Sequence, residues 1–132
     1  VGAYGDDPNY SSAGAAYVFT RSGTTWTQQA KLTASDAQAD DYFGFRTAID
    51  GDTVLVGAYS EDTGGSNAGA AYIFTRSGTT WTQDKKIVAS DGGASDNFGY
   101  GLGIDEDTLV VSAPYEDSTA NNAGAAYVFI AG

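Results

Sequence analysis

The sequence predicts an all-β fold made of propeller blades, each of four antiparallel strands, and three observations lead to this prediction. The segment Ala-Gly-Ala-Ala-Tyr begins at Ala13, Ala68 and Ala123, a fixed spacing of 55 residues. The 18 glycines, with many Ser, Thr and Asn residues, indicate short strands and frequent turns. No long stretch repeats apolar residues at helical spacing. A constant period of about 50 residues is typical of propellers and solenoids.

One complete repeat lies at residues 43–97, and its pattern predicts four strands in order. Gly51-Asp52 is a tight turn of the kind that joins antiparallel strands. The segment after it is almost entirely apolar, as expected for a strand covered on both faces. The third strand opens with small residues, where neighbouring backbones can approach closely, and the fourth is more polar and is expected at the outside. The predicted strands are 43–50, 53–59, 69–75 and 81–89.

Two other architectures fit less well. A leucine-rich or helical solenoid needs a different spacing and helical periodicity. An immunoglobulin-like sandwich has strands of similar length, but it does not normally repeat with a strict period inside 132 residues. The repeat therefore favours blades.

The repeat divides the chain into three units: a partial blade at 1–42 with strands 2–4, a complete blade at 43–97, and a partial blade at 98–132 with strands 1–3. A closed propeller needs about 4–8 blades, so we expect an incomplete ring. Either the chain is part of a longer propeller, or copies of it associate head to tail as a ring or fibre. We expect a homo-oligomer. The apolar end, Ile130 with residues 131–132, replaces a polar Thr-Arg-Ser and favours a covered terminus.

Composition narrows the range of partners. The 17 acidic and 6 basic residues give a net charge of −11, which argues against nucleic acid and anionic membrane surfaces. No apolar run is long enough to predict a membrane span or membrane insertion. Cysteine is absent, so the sequence predicts no disulfide and no thiolate chemistry. The first residue is Val1, without an initiator Met or signal peptide, and this suggests a processed, excised or partly observed protein.

The repeated motifs resemble FG-GAP repeats, the blades of integrin α-subunit propellers and of many bacterial extracellular proteins. The name-giving elements are Phe43-Gly44 and Phe98-Gly99, followed by Val-Gly-Ala-Tyr at 56–59 and Val-Ser-Ala-Pro at 111–114. The resemblance covers nearly the whole chain and implies an extracellular or cell-surface propeller. It also implies an Asp-rich calcium loop between the first two strands of a blade. Here that connection, at 49–53 and 104–108, is too short to wrap about 6–8 oxygens around Ca²⁺.

Acidic residues also recur in the links and loops, and they are the candidates for a different Ca²⁺ site. A carboxylate pair with loop carbonyls could hold the ion. The alternative is that Asp and Asn side chains accept hydrogen bonds from their own turn backbones. The candidate metal ligands are Asp36, Asp41, Asp62, Asp91, Asp96 and Asp117.

Aromatic residues offer a second kind of candidate site. Trp26 and Trp81, with Tyr17 and Tyr72, could stack on sugar rings in a lectin-like groove. The alternative is that they pack between blades, since large aromatic side chains dominate core burial. Asn9 opens an Asn-Tyr-Ser glycosylation sequon.

The sequence therefore predicts an extracellular, non-enzymatic β-propeller module with a structural or adhesive role. The alternative is a module that binds a glycan or another extracellular protein. A hydrolase is the remote alternative, because paired carboxylates about 5–10 Å apart can cleave glycosides. Acids that are duplicated in every blade argue against it, since an active site uses unique residues.

Overall fold

The computed structural model describes residues 1–130, which form ten β-strands and no helix. The strands build three antiparallel sheets, ordered β1-β2-β3, β4-β5-β6-β7 and β8-β9-β10, which we name blades 1, 2 and 3. These antiparallel sheets confirm the predicted fold class, an all-β array of propeller blades. The described residues do not close a ring, as predicted. The strands are β1 (Gly2–Ala3), β2 (Ala15–Ser22), β3 (Thr25–Leu32), β4 (Arg46–Asp50), β5 (Thr53–Ala58), β6 (Ala70–Ser77), β7 (Thr80–Ile87), β8 (Gly101–Asp105), β9 (Thr108–Ala113) and β10 (Ala125–Ile130).

Blade 2 has the predicted order of strands and the predicted turn. Asp50 pairs with Thr53, so a two-residue turn joins β4 to β5. Gly51 in that turn has a φ of 54°, a conformation that glycine adopts without strain. The outer hairpin β6-β7 contains a bulge after Ile73, and β2-β3 has the same bulge after Val18.

The first strand of the complete blade starts later than predicted, at Arg46, because the Phe-Gly motif contacts the preceding blade. The Phe43 N–H donates to the carbonyl of Ala13 at 3.0 Å, and the Gly44 N–H donates to Gly57 within blade 2 at 3.0 Å. Gly44 has a φ of 91°, and a Cβ there would collide with the Ala15 carbonyl oxygen. The motif therefore brings two main chains together where no side chain fits.

The hydrophobic core is divided between the two interfaces that separate the three blades. Phe43 is fully buried in the first interface and packs edge-on against Tyr72, with ring centroids 5.3 Å apart. Phe98 takes the same place in the second interface and packs on Tyr127 at 5.4 Å. Each blade is thus stabilised by its neighbours, as expected for a repeat array.

The expectation of a covered apolar end concerns Ile130 and the two residues after it. Ile130 is the last residue of β10 and is exposed. Ala131 and Gly132 lie outside the described residues.

Candidate functional site

The densest group of ionisable side chains lies where the link between blades 1 and 2 meets blade 2. Asp36 comes from the link, Glu61 from the loop after β5, and Lys86 from β7. The Lys86 Nζ lies 2.6 Å from Asp36 Oδ2 and 2.8 Å from Glu61 Oε1. The Tyr72 hydroxyl donates to Asp36 at 2.9 Å. We call these four residues, together with Asp41, the lysine cluster.

The cluster has one ammonium among three carboxylates. Burial acts to raise the pKa of Asp36, but the hydrogen bonds from Lys86 and Tyr72 outweigh it and hold that pKa below its ordinary value. Burial likewise acts to lower the pKa of Lys86, and the bonds to Asp36 and Glu61 reverse the effect and raise it. Burial and the adjacent Asp36 carboxylate raise the pKa of Tyr72. The ion pairs therefore keep Asp36 and Lys86 charged.

Asp41 is the carboxylate of the cluster that forms no ion pair within residues 1–130. It is 4% exposed and accepts the N–H of Gln38 at 2.8 Å. Burial, with the charges of Glu61 and Asp36, raises the pKa of Asp41 to about 6. Glu61 is also buried, and its Oε2 has no hydrogen-bond partner among residues 1–130. Burial in the cluster therefore opposes the ionisation of Asp41.

The equivalent acids of the second interface are held by hydrogen bonds within the described chain. Asp91 accepts the hydroxyl of Tyr127 at 2.7 Å, and Asp96 accepts the N–H of Gly93 at 2.7 Å. Burial, followed by the bond to Asp91, raises the pKa of Tyr127. Asp96 thus accepts a hydrogen bond from its own loop, and Asp91 accepts one from the neighbouring blade.

The remaining acidic candidates lie in the loops after β5 and β9. Both are exposed, and Asp62 accepts the N–H of Asn67 at 2.7 Å and closes its own loop. In residues 1–130 no three Asp, Glu, His or Cys side chains are grouped so that they could hold a metal ion. In the lysine cluster the Lys86 ammonium lies where a cation would bind. The residues present therefore do not fit Ca²⁺.

The four aromatic candidates differ in accessibility. Trp26 is 65% exposed, while its equivalent Trp81 is partly buried and donates its indole N–H to Gln29 at 2.7 Å. Tyr17 is partly buried and donates to Asp6 at 2.6 Å. Tyr72 is fully buried, so its ring has no face to offer a sugar.

The sequon residue Asn9 lies in the loop between β1 and β2. Its side chain is exposed, and so are those of Tyr10 and Ser11. The asparagine is therefore accessible in the described structure.

A five-ring cluster that the sequence analysis missed lies beside the ends of the inner strands. Phe45 is 4.5 Å from Tyr59 and 5.0 Å from Tyr100, centroid to centroid. Tyr42 stacks on Tyr59 at 5.6 Å, and Tyr4 packs on Phe45 at 5.6 Å. We call these rings the rim cluster. The 55-residue spacing of Tyr4 from Tyr59, and of Phe45 from Tyr100, was the signal that could have identified it.

Two apolar sheet faces at the ends of the array have no covering element among the described residues. The front face of blade 1 consists of Tyr17, Phe19 and Trp26, and Phe19 is 40% exposed. The back face of blade 3 consists of Val110, Ala126 and Val128, and Val128 is 66% exposed.

The equivalent positions inside the array are buried. Phe74, equivalent to Phe19, is 3% exposed, and Ile73, equivalent to Val128, is also 3% exposed. Local sequence therefore does not explain the exposure of the two end faces; within residues 1–130 no further blade covers them.

Antiparallel sheets of three and four strands, stacked face to face at a fixed repeat, define a propeller-type repeat module. The motifs that set the stacking are Phe43-Gly44 and Phe98-Gly99, each bridged to a glycine of the preceding blade. The chain belongs to the FG-GAP repeat family, whose model matches residues 26–74 and 81–129. A comparison with curated proteins finds no match. Within residues 1–130 there is no helix that could serve as a membrane span.

Proposed function

We propose that this chain is an extracellular, non-enzymatic structural or adhesive module, and that it assembles with copies of itself head to tail. The observation that carries the proposal is the pair of exposed apolar end faces, whose equivalents inside the array are buried. FG-GAP repeats are usually extracellular, which supports the location. The carboxylates of the lysine cluster are engaged by the loop N–H of Gln38 and by Lys86, which supports a structural role for them.

The two end faces are complementary because they repeat an interface that already exists within the chain. In the first interface Tyr72 and Phe74 of blade 2 pack in one cluster with Ala16 and Val18 of blade 1. The front face of blade 1 carries the same two aromatic types, at Tyr17 and Phe19.

The back face of blade 3 carries the same two small residue types, at Ala126 and Val128. The front face of one copy is therefore expected to repeat, on the back face of the next, the packing of Tyr and Phe on Ala and Val that is found in the internal interface. Because the front and back faces differ, such a contact is heterologous and produces a ring or an open fibre.

The test uses one substitution on each face, Phe19→Lys and Val128→Lys, with Tyr10→Lys in an exposed loop as the matched control. We expect mass photometry and sedimentation velocity to show oligomers for the wild type and for Tyr10→Lys. Each face variant alone should be monomeric. An equimolar mixture of the two face variants should form a dimer, because it contains one intact pair of faces.

A wild type that remains monomeric at about 100 μM, where even a weak contact of this kind is populated, contradicts the assembly proposal. So does a mixture of the face variants that stays monomeric. Electron microscopy of the wild-type oligomer distinguishes a ring from a fibre.

A second candidate function, glycan binding, is favoured by the rim cluster, because partly exposed aromatic rings can stack on sugar rings. A glycan array probed with the wild type, Tyr4→Ala and Trp26→Ala tests it. Binding that is lost with Tyr4→Ala and kept with Trp26→Ala supports the rim cluster as the site. Signals that neither substitution changes contradict an aromatic glycan site in either place.

A further inference from the structure

A polar cleft of about 830 Å³ lies between the loop that joins β1 to β2 and the link that joins β3 to β4. Asn9 and Tyr10 line one wall, and residues 34–39 line the other. Its volume is within the range of sites that bind small ligands. None of the residues of the two end faces or of the rim cluster lines this cleft, so it is a separate place on the molecule.

Both walls of the cleft are held in place by hydrogen bonds. The Asp40 N–H donates to the carbonyl of Ser11 at 2.8 Å and ties the link to the loop. Gln83 of β7 accepts the N–H of Ser35 at 3.0 Å and donates its own amide to Ser35 Oγ at 3.0 Å. Pro8 restricts the backbone directly before Asn9. A ligand that enters such a cleft orders little of the protein, which favours binding.

The cleft lies where the repeat departs from its own pattern. Pro-Asn-Tyr at 8–10 stands where the next repeat has Thr-Gly-Gly at 63–65, and Gln38 stands where it has Gly93. The hairpins that follow these two loops differ at one position only, Val18 against Ile73. The chain therefore adds two carboxamides and one aromatic ring at one place, on the two sides of a single cleft.

The equivalent walls of the second interface are close together. An added Cβ on Gly65 would lie 3.4 Å from the main-chain nitrogen of Ala94 and 3.6 Å from its Cβ. Gly65 also has a φ of 133°, a conformation that side chains disfavour. A tyrosine like Tyr10 is therefore accommodated in the first interface and opposed in the second.

The added side chains have the chemistry that recognises a sugar. A carboxamide both donates and accepts hydrogen bonds, as each sugar hydroxyl does. The amides of Asn9 and Gln38 are exposed on opposite walls. The Tyr10 ring is 55% exposed and offers an apolar face with a hydroxyl at its tip. This combination suits a ring that has polar edges and apolar faces.

The charges around the cleft favour a sugar without charge. Asp36 is the charged residue of the lining, and its two oxygens accept hydrogen bonds from the Lys86 ammonium at 2.6 Å and from the Tyr72 hydroxyl at 2.9 Å. No Lys or Arg is among the lining residues. The net charge of −11 also repels anionic ligands.

We propose that this cleft binds a neutral oligosaccharide. Tyr10 stacks on one sugar ring, and the amides of Asn9 and Gln38 bond its hydroxyls from the two sides. The site requires neither the self-assembly nor the rim cluster of the proposed function, and it can therefore be tested apart from both.

The test is an NMR titration of the ¹⁵N-labelled Val128→Lys protein, because a monomer gives resolved spectra and Val128 lies outside the cleft. If the proposed self-assembly fails, the wild type is itself monomeric and the titration is unchanged. The protein is made in a host that does not glycosylate Asn9, since a glycan on that amide would occupy the cleft. The probes are the hexasaccharides cellohexaose, maltohexaose and mannohexaose, with an oligogalacturonate as the anionic comparison.

We expect at least one neutral hexasaccharide to shift the side-chain amide signals of Asn9 and Gln38 saturably, with a dissociation constant of about 1 mM or less. The oligogalacturonate should leave both signals unchanged.

Substitutions on the two walls should weaken this binding. Tyr10→Ala removes the stacking ring and should weaken it by about tenfold. Gln38→Gly, which installs the residue of the next repeat, should weaken it by about fivefold. Because Tyr10 lies outside both end faces, its loss should not affect self-assembly.

The matched controls are Tyr115→Ala and Asn121→Ala, which remove an exposed ring and an exposed amide from the loop after β9. Neither should change sugar binding.

The proposal is overturned if no neutral hexasaccharide gives a saturable shift at about 10 mM. It is also overturned if Tyr10→Ala and Gln38→Gly leave binding unchanged, or if the oligogalacturonate binds equally well. Binding that is lost with Tyr4→Ala and kept with Tyr10→Ala would assign the sugar to the rim cluster and would likewise overturn it.

Discussion

Blades 1 and 2 contain the same segment in two environments. Residues 13–28 and 68–83 differ at one position, Val18 against Ile73, and both fold into the same bulged hairpin. Nevertheless, Phe74 is 3% exposed and Phe19 is 40% exposed. The comparison teaches that local sequence specifies the hairpin, while the neighbouring blade decides which of its side chains form a core. Identical residues therefore have different energetic roles.

The largest expected difference in the free energy of unfolding is that between the variants Phe74→Ala and Phe19→Ala. Phe74 fills the first interface, so its truncation should lower the free energy of unfolding by about 3–5 kcal/mol. The same change at the exposed Phe19 should cost less than about 1 kcal/mol in a monomeric background. Urea unfolding of both variants in the Val128→Lys protein measures the difference. Equal losses would mean that the two environments do not differ as described.

The next largest difference in stability is expected between substitutions of the two equivalent lysines, Lys86 and Lys31. Lys86→Met leaves Glu61 buried without its cation and should cost about 3 kcal/mol at pH 7. The matched change, Lys31→Met, breaks a solvent-exposed pair with Asp6 (2.9 Å) and should have little effect on stability. Thermal and urea unfolding at low and high salt check this prediction. A loss for Lys86→Met that disappears in 0.5 M salt would indicate a screened surface pair.

A smaller effect should come from Asp41 and should depend on pH. Its folded pKa of about 6 lies above the ordinary aspartate value of 3.8, so between these values the folded state holds a proton that the unfolded state has released. Stability therefore falls as pH rises through this window. Asp41→Asn removes this contribution and should be more stable than the wild type by about 2 kcal/mol at pH 7.5.

The measurement is urea unfolding of both proteins from pH 4 to 7.5, because the other ionisable groups are common to them. The gain from Asp41→Asn should shrink as pH falls and should vanish near pH 4. A constant difference across the range would contradict the raised pKa.

The fold could be predicted from the sequence because the repeat gave the strand order and the turn at Gly51. The start of the first strand of blade 2 could not be predicted, since Phe43 and Gly44 lie outside the sheet and contact the preceding blade. The lysine cluster was also missed as a unit. Asp36 and Asp41 were identified, but Lys86 lies in a strand whose polar pattern suggests solvent exposure. Only the packing of three distant segments shows that this lysine is largely buried.

Close contacts between main chains constrain the position of each blade relative to the next. At Gly57 an added Cβ would collide with the Gly99 carbonyl oxygen, just as one at Gly44 would collide with Ala15. A gene encoding such an array can therefore gain or lose whole 55-residue units and keep this contact, whereas insertion of a few residues between Gly57 and Gly99 would disturb it unless a loop absorbs the change. Arrays of this type should vary in length in steps of one blade, with short insertions confined to the exposed loops.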